Sequence, residues 1–154
     1  MKNYEIERKF LPADKKEVLS MLQDLPYKYI TQAYLNLNPV VRIRKEDDNY
    51  YLTYKGKGNI AKEEYNLELN EESFYKLLQK CEGNIISKFR YDINLTGNLV
   101  AEIDLFKDKF DGLILIEVEF ESIEAANNFA APKWFGEDVS SDKKYRNAYM
   151  STLA

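Results

Sequence analysis

The feature that most constrains this chain is a repeated alternation in which charged residues recur at positions i and i+2 with apolar residues between them. In Glu5-Ile6-Glu7-Arg8-Lys9 a β-strand would put Glu5, Glu7 and Lys9 on one face, and Ile6, Arg8 and Phe10 on the other. The spacing returns as Arg42/Arg44, Lys55/Lys57, Glu64/Glu68 around Asn66, Lys88/Arg90, Glu102/Asp104 and Glu117/Glu119. Apolar residues such as Val41 and Ile43, or Ile116, Val118 and Phe120, stand opposite these pairs. A period of two specifies strands. An ordinary solvated sheet face carries Thr, Ser and Gln, whereas these faces carry ionised groups with signs sorted strand by strand. Like charges two residues apart on a strand lie about 7 Å from each other and repel unless an opposite charge comes between them. An antiparallel sheet curled into a barrel would converge the acidic and basic strands on one cavity, with the apolar faces packing outward beneath helices. An open sheet with one charged, water-facing side explains the alternation equally well, but gives no reason for the like-charged pairs.

The local signals order the elements. Pro12 ends the first strand, and Asp14 with Glu17 starts a helix through about Asp24. Strands are expected at 28–37 and about 40–46, then after the Asp47-Asp48-Asn49 turn, with Gly56 and Gly58 allowing a bend, and again at 62–69. Asn70 caps a second helix to about Glu82 whose buried face is Phe74, Leu77, Leu78 and Cys81. Strands at about 85–95 and 99–107 flank a Thr96-Gly97-Asn98 turn, and LILIEVEFE follows Asp111-Gly112. Ser122 opens a short helix that Pro132 stops, and a terminal helix is expected from Ser140 or Ser141 with Lys143, Lys144 and Arg146 in its first turns. Tyr65, Phe89, Tyr91 and Phe120 fall opposite the charges and are expected in the core. The expected fold is α+β: an antiparallel β-barrel tunnel of about eight strands with a charged interior and flanking helices, one domain over residues 1–154.

The residue types restrict the chemistry. With no histidine, serine–histidine and cysteine–histidine catalysis and imidazole metal ligation are excluded. The single cysteine, Cys81, cannot form an internal disulfide. A formal net charge of -4 argues against general nucleic-acid binding. No apolar run approaches the ~18 residues of a membrane span. A cytoplasmic protein with a small-molecule partner is expected, with no nucleic acid and no membrane; a homodimer is left open. A cavity lined by both signs suits a polyphosphate with metal, because Arg and Lys bind phosphate oxygens while carboxylates hold Mg²⁺ or Mn²⁺. The named pairs with Lys9 give eight acids and seven bases, a slightly negative lining that two divalent ions would make net positive.

The ExExK start, followed in order by RxR, KxK, ExxxE, KxR, ExD and ExE pairs and by SSDKKYRNAYMS near the C-terminus, resembles the CYTH family of triphosphate tunnel metalloenzymes. The resemblance implies a divalent-metal-dependent hydrolase releasing orthophosphate from inorganic tripolyphosphate or a related triphosphate. A class IV adenylate cyclase, from the same family, and a non-catalytic polyphosphate-binding module are the alternatives. It further implies metal ligation by Glu5, Glu7, Glu68, Glu102, Glu117 and Glu119, with two ions expected. Lys9, Arg42, Arg44, Lys55, Lys57, Lys88, Arg90 and Lys143 would bind phosphate, and Lys9, Glu64 and Asp104 would be catalytic, the acids supporting metals or orienting the bases. Asn66 stands where some relatives would carry another acid.

Overall fold

A computed structural model of the protein describes residues 4–58 and 60–154. The elements are β1 (Tyr4–Pro12), α1 (Lys15–Met21), β2 (Lys28–Leu37), β3 (Val40–Glu46), β4 (Asn49–Lys55), β5 (Ala61–Leu69), α2 (Glu71–Leu78), β6 (Glu82–Asn94), β7 (Val100–Phe106), β8 (Ile114–Glu119), α3 (Ile123–Asn127), β9 (Phe135–Asp138) and α4 (Asn147–Met150). Strands follow the order β5-β4-β3-β2-β6-β7-β8-β1, and β1 pairs back onto β5 through Tyr4, Glu5 and Ile6. This closes an antiparallel eight-stranded barrel, so the alternation marks the inside and outside of a tunnel rather than the two sides of an open sheet.

β9 is a ninth strand that the sequence reading did not anticipate. It continues the β5 side of β1, pairing Phe10 with Asp138 and Pro12 with Phe135. At four residues it is too short to display a period. Gly136 permits the approach, since a Cβ there would lie 2.8 Å from the Pro12 carbonyl oxygen. Arg8 is drawn to the outer face, where it pairs with Asp138 at 2.8 Å and donates to the Ala126 carbonyl at 2.9 Å, joining β1 to β9 and α3.

Two apolar layers cover the barrel from outside. Ile6, Phe10, Ile103, Ile116, Val118 and Phe120 pack beneath Val18 and Leu22 of the α1 region, Ala126 of α3 and Phe135 of β9. Ala33 and Ile43 pack beneath Phe74 of α2. Asp14 caps α1 by accepting from Lys16 N, and Asn70 caps α2 by accepting from Ser73 N. Both helices are shorter than expected, because a turn follows α1 and β6 already begins at Glu82. The expected terminal helix is a single turn at Lys143–Tyr145 followed by α4; Arg146 is extended between them at φ -83° and ψ 130°. Outer coverage is incomplete: Phe120 is buried and Phe89 and Tyr91 are half-buried, but Tyr65 on β5 is 41% exposed.

The interior is not charged along its full length. Directly paired residues project to the same face, and the register pairs Lys88 with Phe106 and Asp104 with Leu115. Phe106 and Leu115 join Tyr34, Ile86, Val139 and Met150 in an apolar plug at one end of the barrel. The C-terminal segment supplies Met150, and it is fastened to the start of β6 by Asn84, whose N and Nδ2 donate to the Ser151 and Met150 carbonyls.

Candidate functional site

Above the apolar plug the barrel encloses a cavity of about 810 Å³. Every strand from β1 to β8 except β7 sends at least two side chains into it; β7 sends Glu102. Its lining contains the carboxylates of Glu5, Glu7, Glu46, Glu64, Glu102, Glu117 and Glu119, facing the cations of Lys9, Arg42, Arg44, Lys55, Lys57, Lys62, Lys88, Arg90, Lys143 and Arg146. With seven acids and ten bases the lining is cationic, which corrects the slight acid excess expected from the sequence. The difference has four sources. Glu68 is exposed at the β5 end and stays out of the lining, Asp104 is wholly buried behind it, and Glu46 and three further cations, Lys62, Lys143 and Arg146, enter it.

The acids gather toward one side. Register brings Glu7 opposite Glu119 and Glu117 opposite both Lys9 and Glu102. Glu5, Glu7 and Glu119 each offer an oxygen such that the three atoms lie within 4.8 Å of one another. Their surroundings separate their protonation. Burial, with the Glu117 and Glu5 carboxylates beside it, pushes Glu7 up to about 8. Burial and the neighbouring Glu5 and Glu64 raise Glu119. Burial opposes ionisation of Glu5 as well, but Lys55 at 2.8 Å outweighs it and holds Glu5 below its ordinary value. Three hard oxygen donors, two of them raised by burial and neighbouring carboxylates, with no histidine or thiol beside them, form a group suited to a hard divalent cation.

The cations divide by how they are held. Lys55 bridges Glu5 and Glu64, at 2.8 and 3.4 Å. Lys9 lies 3.6 Å from Glu117 and donates to the Tyr145 carbonyl at 2.9 Å. Arg90 grips Asp104 with two bonds of 2.7 and 2.9 Å and reaches Glu102 and Glu117 at 3.4 and 3.7 Å. Lys88 is 2.9 Å from Asp104, and burial pushes it down to about 7 despite that carboxylate. Asp104 is thus an anchor beneath Lys88 and Arg90 and has no side of its own in the cavity. Glu117 remains well below its ordinary value because Lys9 and Arg90 overcome its burial, whereas burial raises Glu102 to about 7 against the pull of Arg90.

Arg42 stands apart. It is buried, its side chain donates to Thr53 Oγ1 at 3.4 Å, and among the described residues its Nε has no hydrogen-bond partner. A buried guanidinium facing a cavity without a carboxylate of its own is suited to receive an anion. Lys57 and Lys143 are exposed at the edge of the lining, Lys143 with its Nζ 5.7 Å from the Tyr149 ring centroid. Lys62 was legible in principle, since it precedes Glu64 by two on the same strand face. Gln32 and Asn147 were not, because a neutral side chain gives no charge signal.

Comparison with known proteins agrees with this architecture. Residues 3–149 match the CYTH domain model. An inorganic triphosphatase of Nitrosomonas europaea is 35% identical over 147 residues, covering 96% of each chain. The crystal structure of an inorganic triphosphatase superposes with a TM-score of 0.68 at 33% identity, over 97% of this chain and 95% of the other. A Bacillus halodurans protein described as a candidate adenylate cyclase shares the fold at a TM-score of 0.65 and 18% identity, over 99% of this chain and 95% of its own. The ordered charge pairs, the closed barrel and the match over nearly the whole length lead to one assignment: the chain belongs to the CYTH domain family.

Proposed function

We propose that this chain is a divalent-metal-dependent hydrolase that releases orthophosphate from inorganic tripolyphosphate or a closely related triphosphate. The observation that carries this reading is a single cavity in which a carboxylate trio and an excess of cations face one another. A linear triphosphate bears charge along its whole length, so it suits cations spread through a tunnel better than a single anion pocket. Kinship with a protein named as an inorganic triphosphatase supports the same substrate.

Glu5, Glu7 and Glu119 would hold one Mg²⁺ or Mn²⁺, whose binding would relieve their repulsion. When bound, such an ion neutralises phosphate charge and acidifies water. Of two ions, the second would take most of its ligands from the substrate, since Glu102 and Glu117 are engaged by Arg90 and Lys9. Arg42, Arg44, Lys55, Lys62, Lys88 and Arg90 bind the phosphates, while Lys57 and Lys143 meet the polyanion at the exposed edge of the cavity. A water oxygen attacks the terminal phosphorus as the bridging P–O bond breaks, giving orthophosphate and pyrophosphate. Glu64, in the lining beside Glu5 and Lys55, takes the proton from the water. Lys9 and Arg90 stabilise the charge on the departing pyrophosphate. Asp104 acts through Lys88 and Arg90 by fixing their positions.

The pure protein incubated with Mg²⁺ or Mn²⁺ and tripolyphosphate is expected to release orthophosphate, and ATP in parallel is expected to yield no cyclic AMP. Cyclic AMP from ATP, or tight tripolyphosphate binding without turnover, would overturn the reading.

A further inference from the structure

At the floor of the cavity the C-terminal segment touches the basic strands through one side chain. Asn147, the first residue of α4, is buried, and its Oδ1 accepts from Lys88 Nζ at 3.0 Å and from Gln32 Nε2 at 3.1 Å. Gln32, wholly buried, also donates through Nε2 to Tyr34 Oη at 2.9 Å and accepts through Oε1 from Arg44 Nε at 3.0 Å. Beyond Lys88 the chain of contacts continues to Asp104 and on to Arg90.

The polarity of this chain is fixed from both ends. An arginine Nε–H can only donate, so Gln32 must turn its oxygen toward Arg44 and its amide nitrogen toward Asn147. In its charged form Lys88 can only donate as well, so Asn147 must present its oxygen to it. One carbonyl oxygen therefore serves two donors, and the orientation of each amide dictates that of the next. A carboxylate in the place of Asn147 would bring a further negative charge against the cations. A neutral acceptor instead orients Lys88 and, through Gln32, Arg44 while leaving their positive charge available to the cavity.

We propose that Asn147 is a positioning residue for triphosphate binding: it holds the Lys88 ammonium and, through Gln32, the Arg44 guanidinium in the orientation that receives phosphate oxygens. The proposal rests on the reading of Lys88 and Arg44 as phosphate-binding groups. It also gives the C-terminal segment a part in the site beyond closing the end of the barrel.

The test compares wild type with Asn147→Ala, Gln32→Leu and the double variant, all as the full chain and normalised to the folded fraction by circular dichroism. Two quantities are read: the Kd for tripolyphosphate by calorimetry without metal, and KM and kcat with Mg²⁺. Asn147→Ala is expected to raise Kd and KM about tenfold while kcat falls less than about threefold, the order of one lost hydrogen bond to a charged group. Because both residues act on Arg44 in series, the double variant is expected to bind no more than about twofold worse than the weaker single one. If Asn147→Ala fails to fold, Asn147→Ser, which keeps one acceptor, is expected to give an intermediate rise. A wild type that neither binds nor hydrolyses tripolyphosphate overturns the phosphate reading and the proposal with it. A competent wild type whose Asn147 variant keeps its Kd and KM within twofold, losing only melting temperature, overturns the proposal alone. So does a double variant whose losses multiply.

Discussion

Glu7 lies directly opposite Glu119 across the β1–β8 ladder, with no cation between them in the pairing register. Burial, with the Glu117 and Glu5 carboxylates beside it, drives Glu7 up to about 8, so an ionised Glu7 is costly in the metal-free protein. Glu7→Gln is expected to stabilise the metal-free protein by roughly 0.5–1 kcal/mol. The same change is expected to abolish the rise in melting temperature that Mn²⁺ gives to wild type. Thermal melts of both proteins with and without Mn²⁺ check this, and an equal metal response in the variant would contradict it.

Arg42 and Arg90 should part company when removed, although both are cavity arginines. Among the described residues Arg42 has no carboxylate within salt-bridge distance and its buried Nε makes no hydrogen bond, so Arg42→Ala is expected to leave stability unchanged or raised while kcat/KM falls at least about 100-fold. Arg90→Ala leaves the wholly buried Asp104 with Lys88 alone and is expected to cost about 3 kcal/mol of stability as well as activity. Urea unfolding alongside kinetics separates the two; equal stability losses would contradict the difference.

Lys88 carries the pH dependence whose sign is easiest to read. Burial holds its folded pKa at about 7, against 10.5 for an ordinary lysine, with Asp104 raising it and Arg90 and Arg44 lowering it. The folded protein thus binds this proton less tightly than the unfolded chain. The cost of charging Lys88 is fully present below about 7 and is relieved as pH rises from there toward 10.5. Wild type is therefore expected to gain stability relative to Lys88→Met between pH 7.5 and 9.5, measured by urea unfolding at about half-unit steps. A difference that is flat or falls with pH over this window would contradict the assignment.

Gly83 governs the docking of the C-terminal segment. Its φ is +80°, and a Cβ there would lie 2.2 Å from the Ser151 carbonyl oxygen, the same oxygen that accepts from Asn84 N at 2.7 Å. Gly83→Ala is expected to cost about 1–3 kcal/mol and to push the segment away from β6. Trypsin should then cleave at Lys143 or Lys144 several-fold faster than in wild type, as followed by mass spectrometry; an unchanged cleavage rate would contradict the role given to this contact.

Much of the barrel was legible in the sequence because the two faces of each strand differ so sharply in chemistry. The pairs Glu5/Glu7, Arg42/Arg44 and Glu117/Glu119 identify the inward face even before strand order is known, since period two ties each residue to a side. Where one face does not run on unchanged, the pattern misleads. Glu68 shares a face with Glu64 but lies toward the open end of β5, outside the cavity, and Asp104 shares a face with Glu102 but lies below the cavity floor. Position along the tunnel axis is set by the stagger between strands, which alternation within one strand does not encode.

The sequence by itself determined which residues could face inward, the sign each strand contributes, and the exclusion of histidine chemistry, because these depend only on side-chain identity and a two-residue repeat. Tertiary structure alone decided that β1 closes on β5, and that Glu5, Glu7 and Glu119 meet while Glu117 is neutralised by Lys9 and Arg90. It also decided that Lys62 and Arg146 turn the lining cationic, and that the carbonyl oxygen of Asn147 joins the C-terminal segment to Lys88. The physical reason is that charge, burial and hydrogen bonding in the cavity depend on distances between residues as far apart as 32 and 147. Register and closure of the folded sheet set those distances, and no local pattern in the chain does.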